Sequence, residues 1–185
     1  MINLLIVIIL IISGIGAVAI DNQHTNKIVI TNLSEIKFST FEITDTNEGY
    51  YEIKMSDIST FLMEPGRPML PKVVETYELP FGVKNVEVEV KINNINEKLI
   101  QNEIQPSPRM IPMITPEQIS FSREEKDLSI YNSDNPYPSD WYTYSIRCGL
   151  NNENERVTYV TIHIFPIKYI PNQGKLLISE SSDIQ

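Results

Sequence analysis

The side chains able to do nucleophilic chemistry are few. The chain holds one cysteine, Cys148, and two histidines, His24 and His163. A thiol beside an imidazole is the minimum for cysteine nucleophilic catalysis. The two groups must lie within hydrogen-bond reach, and a third group usually orients the base. Cys148 precedes Gly149 at the end of one strand-like run, His163 sits inside another, and His24 follows an apolar N-terminal stretch. The pattern supplies no such third group. Cys148 therefore reads as a small buried apolar residue, and His163 as a structural or surface strand histidine. The same residues fall short of a zinc-ligand set. The acid-rich stretches TDTNEG and DNPYPSD lack the repeated spacing of a calcium loop, and Glu124-Glu125 reads as a solvated charge run. No glycine-rich phosphate loop is present. The residues thus point to no catalytic residue, no cofactor and no metal.

The elements around them are strands. KIVIT (Lys27 to Thr31) is a short strand candidate. EIKFSTFEI (Glu35 to Ile43) has Ile36, Phe38, Phe41 and Ile43 as core candidates, with YYEIKM (Tyr50 to Met55) as a hairpin partner across Asn47-Glu48-Gly49. VKNVEVEVKI (Val83 to Ile92) alternates most cleanly, with Val86, Val88, Val90 and Ile92 on one face. Glu97 to Ile104 is its expected neighbour after a turn at NNIN. VTYVTIHIF (Val157 to Phe165) places Val160, Ile162 and Ile164 on one face, and KLLI (Lys175 to Ile178) begins a strand paired with IKYI across PNQG. A single helical turn is predicted at Thr115-Pro116-Glu117-Gln118. Pro65, Pro68, Pro71 and Pro80 cannot occupy a central ladder, so they mark rigid extended chain or an edge. The fold class this predicts is all-β: an antiparallel β-sandwich, jelly-roll-like, with long Pro-rich connections.

The first nineteen residues predict export. Leu4 to Ile12 is continuously aliphatic, and Ala17-Val18-Ala19 offers a small-residue cleavage site. This gives a signal peptide over 1–19 and one domain over 20–185. An uncleaved N-terminal segment is the one route to a membrane. Either way the expected location is secreted or at the cell surface. The net charge of −9 excludes a nucleic-acid surface. One cysteine excludes an internal disulfide framework. Asn32-Leu33-Ser34 has the form of a glycosylation acceptor and equally of an ordinary polar turn.

Two segments carry a more specific likeness: GRPMLPKVVETYELPFGVKNVEVEV (Gly66 to Val90) and YPSDWYTYSIRCGLNNENERVTYVTIHIFPIKYIPNQGKLL (Tyr137 to Leu177). Their ordered marks are Gly66-x-Pro68-x-Leu70-Pro71, Leu79-Pro80-x-Gly82, Tyr137-Pro138-Ser139 and Phe165-Pro166-Ile167-x-Tyr169-x-Pro171-x-x-Gly174. This set resembles the gingipain-type propeptide, the prodomain of the gingipain family of clan-CD cysteine proteases. The resemblance implies a non-catalytic secreted prodomain that helps a gingipain-like cysteine endopeptidase fold and covers its cleft. The family's catalytic His and Cys belong to the following domain, so neither role passes to His163 or Cys148. It also implies that the last strand begins near the end of the chain and is cut short there.

A prodomain of this kind needs a stiff surface and a segment lying across the cleft. A basic side chain fills the specificity pocket if the partner cleaves after Arg or Lys. Arg123 in SFSREEKD and Arg109 in QPSPRMIPM are the candidates, both within Gln105 to Asp140, the least strand-like region. The alternative function is a cell-surface binding module for protein or carbohydrate, with Tyr137, Trp141, Tyr142 and Tyr144 lining its face.

Overall fold

A computed structural model describes residues 34–109 and 126–185. In chain order the elements are β1 (Ser34–Lys37), β2 (Phe41–Asp45), β3 (Tyr51–Met55), β4 (Phe61–Leu62), β5 (Leu70–Pro71), β6 (Val73–Pro80), β7 (Val90–Leu99), α1 (Leu128–Tyr131), β8 (Tyr142–Leu150), β9 (Arg156–Ile164), β10 (Ile167–Ile170) and β11 (Lys175–Ile184). Every pairing between strands is antiparallel.

β11 is the centre of the larger sheet. One of its edges takes β7, from Lys175↔Leu99 to Ile184↔Val90. Its other edge takes β10 and then β1, with Ile167↔Ile178 and Ser34↔Ile184 marking the two stretches. A second sheet has the order β6-β9-β8. Leu79, Val160, Ile162 and Ile164 from that sheet meet Val90 and Ile184 from the first, so the two sheets bury a common core face to face. A separate core gathers Ile53, Met55, Leu70, Ile104, Tyr131, Tyr137, Ile167, Tyr169, Leu176 and Ile178. β11 reaches both cores, giving Leu176 and Ile178 to one and Ile184 to the other.

The all-β antiparallel expectation holds, as does the hairpin β2–β3, closed by Thr46 N–H to the Tyr50 carbonyl at 2.8 Å. The face assigned to β9 is also correct: Val160, Ile162 and Ile164 are all buried. β10 and β11 pair as expected through a short 3-10 turn, Pro171–Gln173. Gly174 closes that turn at φ 55°, and a Cβ there would stand 2.8 Å from the Ile100 carbonyl oxygen. The KLLI start extends to a ten-residue strand.

Three expectations are corrected. EIKFSTFEI is not one strand: it breaks at 38–40 into β1, which joins β11, and β2, which joins β3. Its slip in phase between Phe38 and Phe41 is where the chain changes sheets. NNIN is not a turn but the middle of β7, which runs straight on to Leu99, so Glu97 to Ile104 is no separate strand. Asparagine tolerates the left-handed backbone that Asn94 adopts (φ 52°), and the chain absorbs the irregularity without reversing. Val86 and Val88 pack on the second core as predicted, and Val83, which the alternation did not place there, packs on it too, but Val83 to Glu89 lies outside the ladders. Glu89 is tied to Gln185 through reciprocal backbone bonds of 3.0 and 2.9 Å. The four-residue helix α1 has no counterpart in the sequence reading. The strand candidate at 27–31, the helical turn at 115–118 and the export segment lie outside the described residues.

Candidate functional site

The stretch Glu64 to Leu70 is the knot of the first core. Gly66 adopts φ 76°, which a side chain resists. That conformation lets both backbone groups of Gly66 bind separate chain segments. Its N–H donates to the Ser107 carbonyl at 2.9 Å, and its carbonyl accepts from the Asp127 N–H at 2.8 Å. The Arg67 carbonyl accepts from the Ser107 N–H at 2.8 Å, and Met69 N–H donates to the Gln105 carbonyl at 2.9 Å. Pro68 and Pro106 are buried against each other across an isolated bridge. Proline suits these positions because the donors here come from its neighbours. One dipeptide, Gly66-Arg67, therefore grips the chain both where it leaves toward residue 110 and where it returns at residue 126.

Side chains reinforce the grip. Arg67 pairs with Glu64, and its Nε lies 3.6 Å from Asp127 Oδ2. Burial opposes the guanidinium charge, yet the carboxylates of Glu64 and Asp127 help to hold its pKa above the ordinary value. Asp127 Oδ1 accepts from the Ser129 backbone N–H at 3.0 Å and from its hydroxyl at 2.6 Å, so Asp127 caps α1. Those Ser129 bonds, and then Arg67, lower the Asp127 pKa. Lys126 reaches Glu103 at 2.6 Å and lies 5.3 Å from the centre of the Tyr131 ring. The Tyr131 hydroxyl donates to the Ile104 carbonyl at 2.7 Å inside the core. Burial raises the pKa of the Tyr131 phenol, and pushes that of Tyr169 up to about 12. These are neutral packing groups, not acids or bases.

Arg109 is exposed at the end of the outgoing segment. Arg123 lies outside the described residues. Cys148 and His163 are not brought together. Cys148 is opposite Thr158 on β8 and His163 opposite Thr143 on β9, in alternate positions that point to opposite faces of one sheet. Cys148 is exposed, which corrects the expectation of a buried residue: its strand is at the sheet edge, beyond the cover of the facing sheet. Burial, then the charges of Lys72 and Arg147, lower the His163 pKa. No cluster of His, Cys, Asp and Glu suited to a metal occurs among the described residues.

The aromatic set of the alternative reading is divided. Tyr137 is buried in the first core and Tyr142 packs on the second, its hydroxyl reaching the Val88 carbonyl at 3.3 Å. Trp141 lines a groove of about 600 Å³ with Val90, Ile92 and Tyr144. One side of its ring is taken by Lys168 Nζ at 4.5 Å, and that ammonium also donates to the Ser139 carbonyl at 2.6 Å. The signal that sequence reasoning lacked is the hydrogen-bonded junction at Gly66-Arg67. The glycine and prolines there were visible, but the segments they bond were not.

The family model Propeptide_C25 matches residues 20–185. No curated protein matches the chain. Among solved structures, the complex of the pro- and mature domains of RgpB from Porphyromonas gingivalis is similar at 19% identity and a TM-score of 0.58, over 81% of this chain and 75% of that one. A structure bearing on the zymogenic latency of gingipain K from the same organism is similar at 13% identity and a TM-score of 0.56, over 82% of this chain and 83% of that one. At these identities the likeness shows the fold.

Proposed function

This chain belongs to the Propeptide_C25 family, and we propose that it works as an exported prodomain that assists the folding of a gingipain-like cysteine protease and blocks its cleft. It is a non-catalytic propeptide homologous to gingipain prodomains. The observation that carries the inhibitory reading is the junction at Gly66-Arg67. A segment lying across an active-site cleft must be held at both ends, because each freely rotating residue subtracts from affinity. Here both flanks of residues 110–125 are bonded to one dipeptide, Gly66-Arg67, whose glycine is buried.

In this reading Arg123 enters the pocket of a protease that cleaves after basic residues, and Arg109 is the second choice. The signal peptide spans 1–19, and the working domain is 20–185, secreted or held at the cell surface. A jelly-roll-like path for the strands belongs to the same reading. The binding-module alternative is disfavoured because its face is divided: Tyr137 and Tyr142 pack in different cores and Lys168 covers one side of Trp141, leaving Tyr144 exposed.

The test is titration of a gingipain-like protease with the folded chain, read by peptide-substrate turnover. Micromolar chain is expected to suppress turnover. Arg123→Ala weakens inhibition by about 2 kcal/mol or more, because a desolvated ion pair is lost, and Arg109→Ala weakens it less. Full turnover in the presence of folded chain overturns the inhibitory reading. Inhibition that survives both substitutions keeps that reading and discards these contacts.

A further inference from the structure

The long strands at sheet edges are not equally protected. β6 carries Glu75 and Glu78 and ends at Pro80. β7 carries Lys91, Glu97 and Lys98 and the irregular Asn94. Charges, prolines and irregularities of this kind keep an edge from pairing with other chains. β8, YTYSIRCGL, has no proline and one charge, Arg147. Among the described residues it pairs with β9 alone.

Two bonds at its ends set the alternation of its backbone. Phe165 N–H donates to the Trp141 carbonyl at 2.8 Å, and Asn151 N–H donates to the Glu155 carbonyl at 3.0 Å. Odd-numbered residues thus bond toward β9, and the N–H and C=O groups of Tyr144, Ile146 and Cys148 point to the open edge. The Leu150 carbonyl already accepts from the Tyr159 hydroxyl at 3.0 Å, which closes one end of the open stretch. The even-numbered side chains continue the face of Val160 and Ile162, yet Tyr144 is 42% and Ile146 44% exposed. Among the described residues, therefore, nothing pairs with these backbone groups or covers the apolar flank beside them.

The geometry points to a second copy of this chain as the occupant, joined by antiparallel pairing of β8 with β8 about a two-fold axis at Ile146. Groups that point outward pair with groups that point outward, and this limits the registers. An axis at Arg147 sets two guanidinium groups opposite each other, which is unfavourable. An axis at Cys148 slides part of the strand past the Asn151–Glu155 turn and shortens the overlap. An axis at Ile146 overlaps the whole strand. It sets Ile146 against its own copy, Tyr144 against the second copy's Cys148, and each Arg147 against the second copy's Ser145. No like charges face one another and apolar meets apolar, the self-complementarity that a two-fold interface requires. This pairing is independent of protease inhibition.

Sedimentation of the full chain over a range of concentrations, with reductant present, tests it. The expected result is a concentration-dependent dimer. Ile146→Lys places a charge on the axis and raises the dissociation constant about tenfold or more, with the circular dichroism unchanged. If that variant loses its β signal, Tyr144→Lys replaces it with the same expectation. Register is read by cross-linking the Ile146→Cys variant in a Cys148→Ser background with oxidised glutathione. One protein thiolate displaces glutathione from the disulfide, and the thiolate of the second copy displaces the other, giving one protein disulfide, two glutathione thiols and no net electron loss. That variant is expected to form linked dimers, and the parent chain, whose Cys148 residues lie off the axis, is not. A chain that stays monomeric at all concentrations overturns the proposal, and so does a dimer indifferent to the lysine. Rapid linkage through Cys148 in the parent overturns the register. A monomeric chain whose Ile146→Lys variant binds a gingipain-like protease more weakly gives the edge to the protease instead.

Discussion

The two cores of this molecule are built in different ways. The second, between the β6-β9-β8 sheet and the β7–β11 ladder, is made of long strands whose side chains alternate. The first is made of short strands, the turn of helix α1 and chain that belongs to no strand, held by bonds from Gly66, Arg67, Met69 and Tyr131. The second is a generic sandwich core that, among the described residues, leaves the β8 edge without a partner strand. The first spends its hydrogen bonds on fixing where one segment leaves and returns. Regular alternation supplies stability here, and the irregular core supplies the geometry that function needs.

Charge burial separates the two most strongly. Ile162 is 1% exposed in the second core. Ile162→Asp is expected to cost about 4 kcal/mol or more, enough to unfold the chain. Leu70, fully buried in the first core, is expected to cost about 2–5 kcal/mol as Leu70→Ala. Because β11 lines both cores, Trp141 fluorescence and far-UV circular dichroism should move together on urea denaturation of Leu70→Ala. Two separated transitions would show that the cores fold independently, and the comparison would lose its common strand.

The comparison sharpens at Gly66. Gly66→Ala forces a side chain onto φ 76°, at an expected cost of about 1–2 kcal/mol in urea denaturation. It should also weaken protease inhibition, since it loosens both flanks of residues 110–125. Ile146→Lys on the open edge of β8 should leave inhibition unchanged. If Gly66→Ala inhibits as well as the parent does, the junction is structural only.

The legible and illegible parts of the sequence divide along the same line. The period-two pattern of VTYVTIHIF exposed β9 and its buried face, and VEVEVKI gave the inward side chains even where the ladder is missing. Local pattern suffices when each residue's role repeats every second position. The phase slip between Phe38 and Phe41 is a visible sign of a change of sheet. The composition of NNIN suits a turn, but asparagine's tolerance of positive φ also serves a strand. The junction was not legible. Gly66 and Pro68 announce rigid chain, while the partners of Gly66, Ser107 and Asp127, and of Pro68, Pro106, lie far along the sequence and carry no pattern of their own. The exposure of Cys148 is not legible in the sequence, because the strand's position at an edge is a property of topology, which its own residues do not encode.

The smallest expected effect is electrostatic. Burial beside Lys72 and Arg147 depresses the His163 pKa below its ordinary value of 6.5. Above pH 6.5 the imidazole is largely neutral in both states. As pH falls below 6.5 the unfolded chain takes up the proton first, so stability drops toward the depressed folded value. His163→Asn should flatten that part of the curve of urea midpoint against pH. The Asp127 contribution is lost only in more acidic solution, because its folded pKa lies below the usual carboxylate range. An unchanged slope in His163→Asn would show that His163 does not carry this part of the pH dependence.

The central claim is that the Gly66-Arg67 side of the molecule faces the protease. Amide hydrogen exchange of the chain, free and saturated with a gingipain-like cysteine protease, tests it most directly. The account predicts slower exchange across residues 105–131 and at Gly66 to Met69, with β9 unchanged. Slowing confined to the β6-β9-β8 sheet, or no slowing anywhere at saturation, would contradict it.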